Sequence, residues 1–530
     1  MNTHRKTKIF GYVLFFVLVA LCLAASSVSA AENRGTAKNS TVGYEDGFWY
    51  DSKINIDEPL NDSEVRDVVS RAMARVEYIR DRNFKEDVNV VKKNRSELNI
   101  SNQPRENGSV NRSDAAKWNN QVWEALFMVG ENKNVNELIG STAESAVGGF
   151  YSRQNGSKNG SGPMGSEGNI TVVTEEGGLN ELTVGHELVH ALQDQYYNLS
   201  ADRFNPPVQD EQLGNSGLLE GEANYVQRKY SARCKEDWSC VDSSGAAGGG
   251  GTKERDVNRA VLLIMFQPYS DGPPYIAWVR GYGGWEAVNH KFRDNVPKTS
   301  KQVIHRINFT RPNMSFTDSS AENWSTWPDE GIDGYDIGGE ASVYMMFWQQ
   351  TRTTGREIIN EVRFQNGEAG ELDRLNYVSR PSEGWLNDRI YPYHNGERRG
   401  YVWKTLWNTT RDAKEFHSSY MKILEGHDAE KVEPGVWKIE SGKFADAFRV
   451  LRDGRSVVVT NAPTVEELDQ IRSIEEGERE VPKNVTNGSF EGSETENDSE
   501  QRELDGFGLA VAVLGVIAAV LVAKSAVKES

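Results

Sequence analysis

Two histidines four residues apart, with a glutamate after the first, constrain this chain more than any other feature: His186-Glu187-Leu188-Val189-His190. On a helix, residues i and i+4 share a face, so both imidazoles can bind a single metal ion. The stretch is therefore expected to be helical, and Glu181 to Tyr197 reads as that helix. Glu187 follows His186 directly and can reach a water on the metal. Zinc lowers the pKa of such a water to about 7, and a carboxylate can then take its proton. With only eight histidines in 530 residues, a chance match to this pattern is rare.

A catalytic zinc needs a third protein ligand and one open position. A second expected helix, Gly214 to Tyr230, contains Leu218-Leu219-Glu220-Gly221-Glu222-Ala223-Asn224. Glu220 and Glu222 point to different sides of that helix, and Gly221 allows close backbone approach. Glu220 is the preferred ligand and Glu222 the alternative. Asn224, one turn after Glu220, and Asp194, one turn after His190, are candidates to orient the imidazoles. An ordinary surface carboxylate is the competing reading of Asp194. Attack on a carbonyl also needs an oxyanion donor. Tyr269, Tyr151 and His305 are candidates, each set against a plain structural role.

The two ends address the protein. His4, Arg5, Lys6 and Lys8 precede an apolar run, Ile9 to Ala25, and a small-residue stretch ending at Ala30. This is the pattern of a secretory signal cleaved after Ala30, with an uncleaved anchor as the alternative. Near the other end, Gly506 to Ala523 holds no charge, and Lys524 and Lys528 follow it. Eighteen helical residues span about 27 Å, close to a bilayer core of about 30 Å. The flanking lysines fit a cytoplasmic tail and an outer N-terminal body.

Between body and anchor, about Glu475 to Asp505 is rich in Glu, Ser, Asn, Thr and Gly and reads as a solvated stalk. Seventeen Asn-x-Ser/Thr sequons, among them Asn198, Asn308, Asn313, Asn323 and Asn408, suit an exported glycoprotein. Cys22 leaves with the signal, so Cys234 and Cys240 are expected as one disulfide closing a small loop, or else as two free thiols. The formal charge of -18 becomes near -21 once Arg5, Lys6 and Lys8 are removed, and no basic patch stands against it. Nucleic acid is thereby excluded as a partner. A mean hydropathy of -0.62 excludes a polytopic membrane protein.

Along the body, helices are expected at Asp62 to Arg82, Asp114 to Val129 and Gly338 to Gln350. Strands are expected at Val88 to Val91 and Asn169 to Thr174. Arg259 to Phe266 is apolar and is followed by a Pro/Gly-rich turn and a helix near Ile276 to Arg280. From about Asp373, strands (Tyr401 to Trp407, Ser456 to Thr460) alternate with helices (Thr410 to Leu424, Thr464 to Ile474) that open at threonine.

His186 to Gln195, HELVHALQDQ, with Leu218 to Ala223, LLEGEA, resembles a group of secreted HExxH metallopeptidase-like proteins of the gluzincin type. The resemblance extends to Gly149-Phe150-Tyr151, Pro268 to Gly272, Gly283 to Val288, Ser300 to His305 and Gly384 to Arg389, with Asn387 where the group has Gly. It covers roughly residues 62 to 474. It implies a Glu on the later helix as third ligand, Zn2+ as cofactor, and peptide or protein substrate pairing with an edge strand beside the metal helix, here Asn169 to Thr174.

Separately, Asp505-Gly506-Phe507-Gly508 opening the apolar run resembles the archaeal PGF-CTERM sorting segment, with Asp505 where that family has Pro. That resemblance implies an archaeosortase and a surface layer as partners and replacement of the segment by lipid. A single-span anchor is the alternative.

The expected fold class is α+β: a mainly helical, zincin-like core with an edge-strand sheet, then a small α+β region and a single C-terminal transmembrane helix. The expected order is signal 1–30, N-terminal lobe 31–150 (integral or propeptide), HExxH core 151–370, α+β region 371–474, stalk 475–505, transmembrane or sorting helix 506–523 and cytoplasmic tail 524–530. The expected activity is peptide hydrolysis by metal-activated water at the outer cell surface. The competing reading is a surface-layer-associated glycoprotein with a structural or degenerate metal site. Export predicts that the mature protein begins at Ala31, which intact-mass measurement of the membrane-associated protein checks; retention of residues 1–30 would mark the N-terminus as an anchor.

Overall fold

The computed structural model describes residues 41–56, 60–94, 114–139, 149–153, 168–174, 179–241, 258–360 and 375–474. The expected signal, stalk and C-terminal apolar helix lie outside these. No helix among the described residues is long and apolar enough to cross a membrane. Among the described residues helix exceeds strand, 49% to 19%, in a mixed α+β fold.

A short hairpin, β1 (Tyr44–Glu45) and β2 (Phe48–Trp49), leads to α1 (Asp62–Arg80). Asn61 caps α1: its side chain accepts from the Ser63 and Glu64 N–H groups, and Glu64 reaches back to the Asn61 N–H. Next come β3 (Val88–Asn94), α2 (Asp114–Ala125), β4 (Gly149–Arg153) and β5 (Gly168–Thr174). These three strands form one sheet in the order β3-β5-β4, with β3 parallel and β4 antiparallel to β5.

The sheet and α1 enclose one face of α3 (Glu181–Tyr197). Val68, Ala72 and Val76 of α1 and Ile170 and Val172 of β5 share a core with Val184, Leu188 and Leu192. Asn180 caps the start of α3 by accepting from the Thr183 N–H, and Asn198 ends it in the left-handed region at φ 53°. The helix therefore has the bounds expected from its sequence.

Four corrections to the sequence reading matter for the site. The strand at 168–174 is central, flanked on both sides, because β3 arrives parallel from 80 residues upstream. Among the described residues, the sheet edge beside α3 is instead β4. Second, α4 (Gln209–Glu236) extends well beyond Gly214 to Tyr230 and carries Cys234 on its last turn. Cys234 and Cys240 are joined, with Cα atoms 5.6 Å apart.

Third, α5 (Arg259–Asp294) runs helically through Pro268, Pro273 and Pro274, where a turn was expected, and changes direction only at Gly283–Gly284. Each proline forfeits a ladder hydrogen bond. Packing outweighs that cost, because Gly272 of α5 lies against Gly221 of α4 so closely that a Cβ on Gly221 would come within 2.7 Å of the Gly272 carbonyl carbon. A turn there would give up this contact.

Fourth, the C-terminal region does not pack as a module of its own. After α6 (Ser300–His305), β6 (Ser325–Thr326), α7 (Gly339–Thr354) and α8 (Arg380–Glu383) come β7 (Trp385–Asn395), β8 (Arg398–Trp407), α9 (Thr410–Gly426), β9 (Glu430–Glu433), β10 (Val436–Lys438), β11 (Ala447–Asp453), β12 (Ser456–Ala462) and α10 (Val465–Ile471). Seven strands make an antiparallel sheet, β6-β7-β8-β12-β11-β10-β9. Trp123 of α2, Tyr344 of α7 and Trp403 of β8 belong to one buried cluster, so the packing does not break at 150 or at 370.

The α4–α5 crossing sets the position of Glu220, one residue before Gly221. Gly221→Ala is expected to force the helices apart, costing about 1–3 kcal/mol. Chemical denaturation of the full chain measures this; an unchanged midpoint would show that the crossing tolerates a methyl group.

Candidate metal centre

The helical period puts His186 and His190 on one face of α3, and the close α4–α5 crossing presents Glu220 to that face. The Nε2 atoms of the two imidazoles are 3.2 Å apart. The Glu220 Oε2 lies 3.3 Å from His186 Nε2 and 3.4 Å from His190 Nε2. A tetrahedral site with zinc bonds of about 2.1 Å has edges of about 3.4 Å, so three such donors can share one zinc ion and leave the fourth vertex open.

Glu220 Oε2 is buried and has only the two imidazole nitrogens close by, neither in a geometrically satisfactory hydrogen bond. A buried carboxylate oxygen in that condition is costly, and a cation equidistant from three donors would satisfy it. Among the described residues this is the one cluster of His, Cys, Asp and Glu arranged to hold a metal ion. The donor set, two imidazoles and one carboxylate, suits zinc.

The electrostatics follow from this crowding. Burial alone would lower the His190 pKa, but the Glu220 charge overrides it and raises it to about 9, with Glu187 and Gln193 adding to the rise. Burial likewise works to raise Glu220, yet His190 and His186 hold its carboxyl far below the usual range. Glu187 moves up, because burial and the Glu220 charge outweigh the pull of the imidazoles and of the Tyr151 backbone N–H bonded to it. Gly149 is confined beside it: a Cβ there would sit 3.4 Å from Glu187 Cγ and 3.1 Å from Thr183 Cγ2. The edge strand β4 therefore shapes the space around Glu187.

Tyr269 reaches the site because α5 stays helical. Its ring lies parallel to that of His186, centroids 6.4 Å apart. Burial raises its pKa well above 10, with the charges of Glu220 and Glu187 adding to the effect. The hydroxyl is thus a donor at neutral pH.

The structure sends the other candidates elsewhere. Glu222 faces away from the imidazoles and pairs with Arg80, so it is not the third ligand. Asn224 donates to the Glu220 backbone carbonyl at 2.9 Å rather than to an imidazole. Asp194 accepts from the Tyr151 hydroxyl at 2.9 Å and from the Leu199 N–H at 2.8 Å, which ties β4 to the end of α3. His305 turns to Glu340, 2.8 Å away, in a cluster with Lys301. The residue that does hold an imidazole was missed: Gln193, whose Oε1 is 3.0 Å from His190 Nδ1. Its place three residues after His190 was the available signal.

Comparison with protein families finds one match, to the Domain of unknown function (DUF8575), over residues 330–472. That span begins after α6 and ends with α10, so it contains none of His186, Glu187, His190 and Glu220. No curated protein and no solved structure matches the chain.

The donor geometry predicts one zinc ion per chain. Zinc is expected to raise the thermal unfolding midpoint and a chelator to reverse the rise, as linkage requires. Glu220→Ala is expected to abolish both the bound zinc and the shift. Calorimetry with metal analysis checks this; a zinc shift that survives Glu220→Ala would exclude Glu220 as ligand.

Proposed function

We propose that this chain is an exported zinc-dependent peptidase of the zincin-like type, acting on peptide or protein substrate at the outer face of the cell membrane. The observation that carries this reading is the triangle of His186, His190 and Glu220 around an unsatisfied buried carboxylate oxygen, with Glu187 beside it. Glu187 weighs against a purely structural metal site, which would have no use for a base.

His186, His190 and Glu220 would hold the zinc ion, which when bound would supply a Lewis acid and lower the pKa of a water to near 7. Glu187 would take a proton from the attacking water and pass it to the departing amine nitrogen. Tyr269, adjacent to Glu220 and Glu187, is the candidate donor to the developing oxyanion. The edge of β4, whose Tyr151 N–H touches Glu187, is the backbone on which an extended substrate would pair.

Export rests on the two ends of the sequence. The exposure of the sequon residues Asn61, Asn198, Asn308, Asn313, Asn323 and Asn408 is consistent with it. The surface-layer and sorting partners belong to the same reading.

Glu187→Gln tests the function. The variant is expected to bind zinc as the wild type does and to lose about 10²–10⁴-fold in the rate of peptide cleavage. A peptide library assayed with the purified full chain at several salt concentrations reads this out. Equal cleavage by the wild type and the variant, with zinc bound to both, would sink the proposal.

A further inference from the structure

Behind the metal-facing side of His190 lies a line of buried polar side chains that the proposed reaction does not use. Gln193, 2% exposed, stands one turn after His190 on α3. Its amide nitrogen is 3.0 Å from the Leu219 carbonyl oxygen and 2.9 Å from Glu222 Oε2. The other oxygen of Glu222 pairs with Arg80 Nε, and Arg80 Nη2 donates to Asn289 Oδ1 at 2.6 Å. The Arg80 guanidinium also lies 4.2 Å from the centre of the Trp285 ring. Glu222 and Arg80 are 1% and 2% exposed, so water does not replace these partners.

This arrangement has a direction. A carbonyl oxygen and an Arg-paired carboxylate only accept hydrogen bonds. Turning the Gln193 amide over would set oxygen against oxygen twice in a buried place, so the NH2 group must face Leu219 and Glu222. The amide oxygen is thereby committed to His190 Nδ1, 3.0 Å away. That oxygen has no proton to give, so Nδ1 must carry one and donate. When the imidazole is neutral, its lone pair is left on Nε2, the atom that faces His186 and Glu220.

We infer that Gln193 is a positioning residue for metal binding, locking His190 in the Nδ1–H tautomer, and that Glu222 and Arg80 act through it by fixing the amide. The inference rests on the metal reading above and deepens it. It also explains why two carboxylates flank Gly221. Glu220 meets the metal directly, while Glu222, on the opposite side of α4, sets the orientation of another ligand. The device differs from a carboxylate placed directly on the imidazole, because here the negative charge is one amide removed and already neutralised by Arg80.

The test uses the purified full chain and zinc alone, titrated in competition with a fluorescent chelator. Gln193→Met keeps the volume and removes the acceptor. Its zinc dissociation constant is expected to rise about 10–100-fold, the usual effect of losing such a partner. Two further variants reverse the polarity of the line. Gln193→Glu alone sets like charges together, and Glu222→Gln alone frees the amide to turn, so each is expected to weaken zinc binding.

Combined, Gln193→Glu and Glu222→Gln restore the contacts to His190 and to residue 222 at unchanged net charge, leaving only the bond to the Leu219 carbonyl unreplaced. The new carboxylate accepts from His190 and from the new amide, whose oxygen accepts from Arg80. The double variant is expected to regain zinc affinity, which a purely structural tie between the helices would not require. In the zinc-loaded protein labelled with ¹⁵N-histidine, the wild type and double variant are expected to show the His190 Nδ1–H proton protected from exchange.

A folded Gln193→Met protein that binds zinc as tightly as the wild type would overturn the inference. So would a double variant as weak as its single parents, which decides the matter if the Met variant does not fold. Either result leaves the metal reading standing. A wild type that binds no zinc overturns the metal reading itself.

Discussion

Arg71 and Arg75 reach from α1 to a single buried carboxylate, Glu181, the first residue of α3. The Tyr230 hydroxyl of α4 and the Val241 N–H, just past the disulfide, donate to the same group. Arg75 also donates to the Ser239 carbonyl inside the disulfide loop and lies 4.7 Å from the Trp238 ring centre. Two helices and a cross-linked loop thus meet α3 at one charge. Buried ion pairs add little net stability over apolar replacements, yet breaking one costs about 3–5 kcal/mol because a charge is left unpaired. Such a group admits few arrangements. Its physical consequence here is that α3 cannot turn about its axis, and a turn of one residue, about 100°, would carry both imidazoles away from Glu220.

The far wall of the site depends on a second anchor. At the start of α4, the Gln209 N–H bonds Asp336 Oδ1 at 2.8 Å, and Asp210 accepts from Ser300 through both its N–H and its hydroxyl. Asp388 of β7 accepts from the Gly338 and Gly339 N–H groups at the start of α7. These aspartates join the large sheet and its helices to the N-terminal end of the helix that carries Glu220. The region matched by the family of unknown function supplies no group to the candidate metal centre, yet through Asp336 it anchors one of the two helices that form it. Burial raises Asp210 and Asp336 to about 7 despite their donors.

Local signals in the chain were legible. The helices starting at Asp62, Glu181 and Thr410 begin where the pattern places them, and the caps found at Asn61, Asn180 and Thr409 act within a few residues of those starts. The His186/His190 pair was legible for the same reason, since it depends only on helical period. Long-range choices were not. Whether Glu220 or Glu222 faces the imidazoles depends on where Arg80 lies, 142 residues earlier in sequence. The edge strand was misassigned because a strand's pattern does not reveal how many neighbours it has. The prolines of α5 read as a turn because the glycine contact that keeps them helical lies on another element.

The sequence by itself determined that two imidazoles would stand on one face of a helix with a carboxylate next to them, because a period of 3.6 residues brings i and i+4 together. It also determined that a second helix would offer two carboxylates on different sides. The tertiary structure decided which carboxylate turns inward, which strand borders Glu187, and that Gln193 rather than Asn224 or Asp194 holds His190. Those decisions belong to buried groups with few partners to choose from, and the partners come from distant parts of the chain.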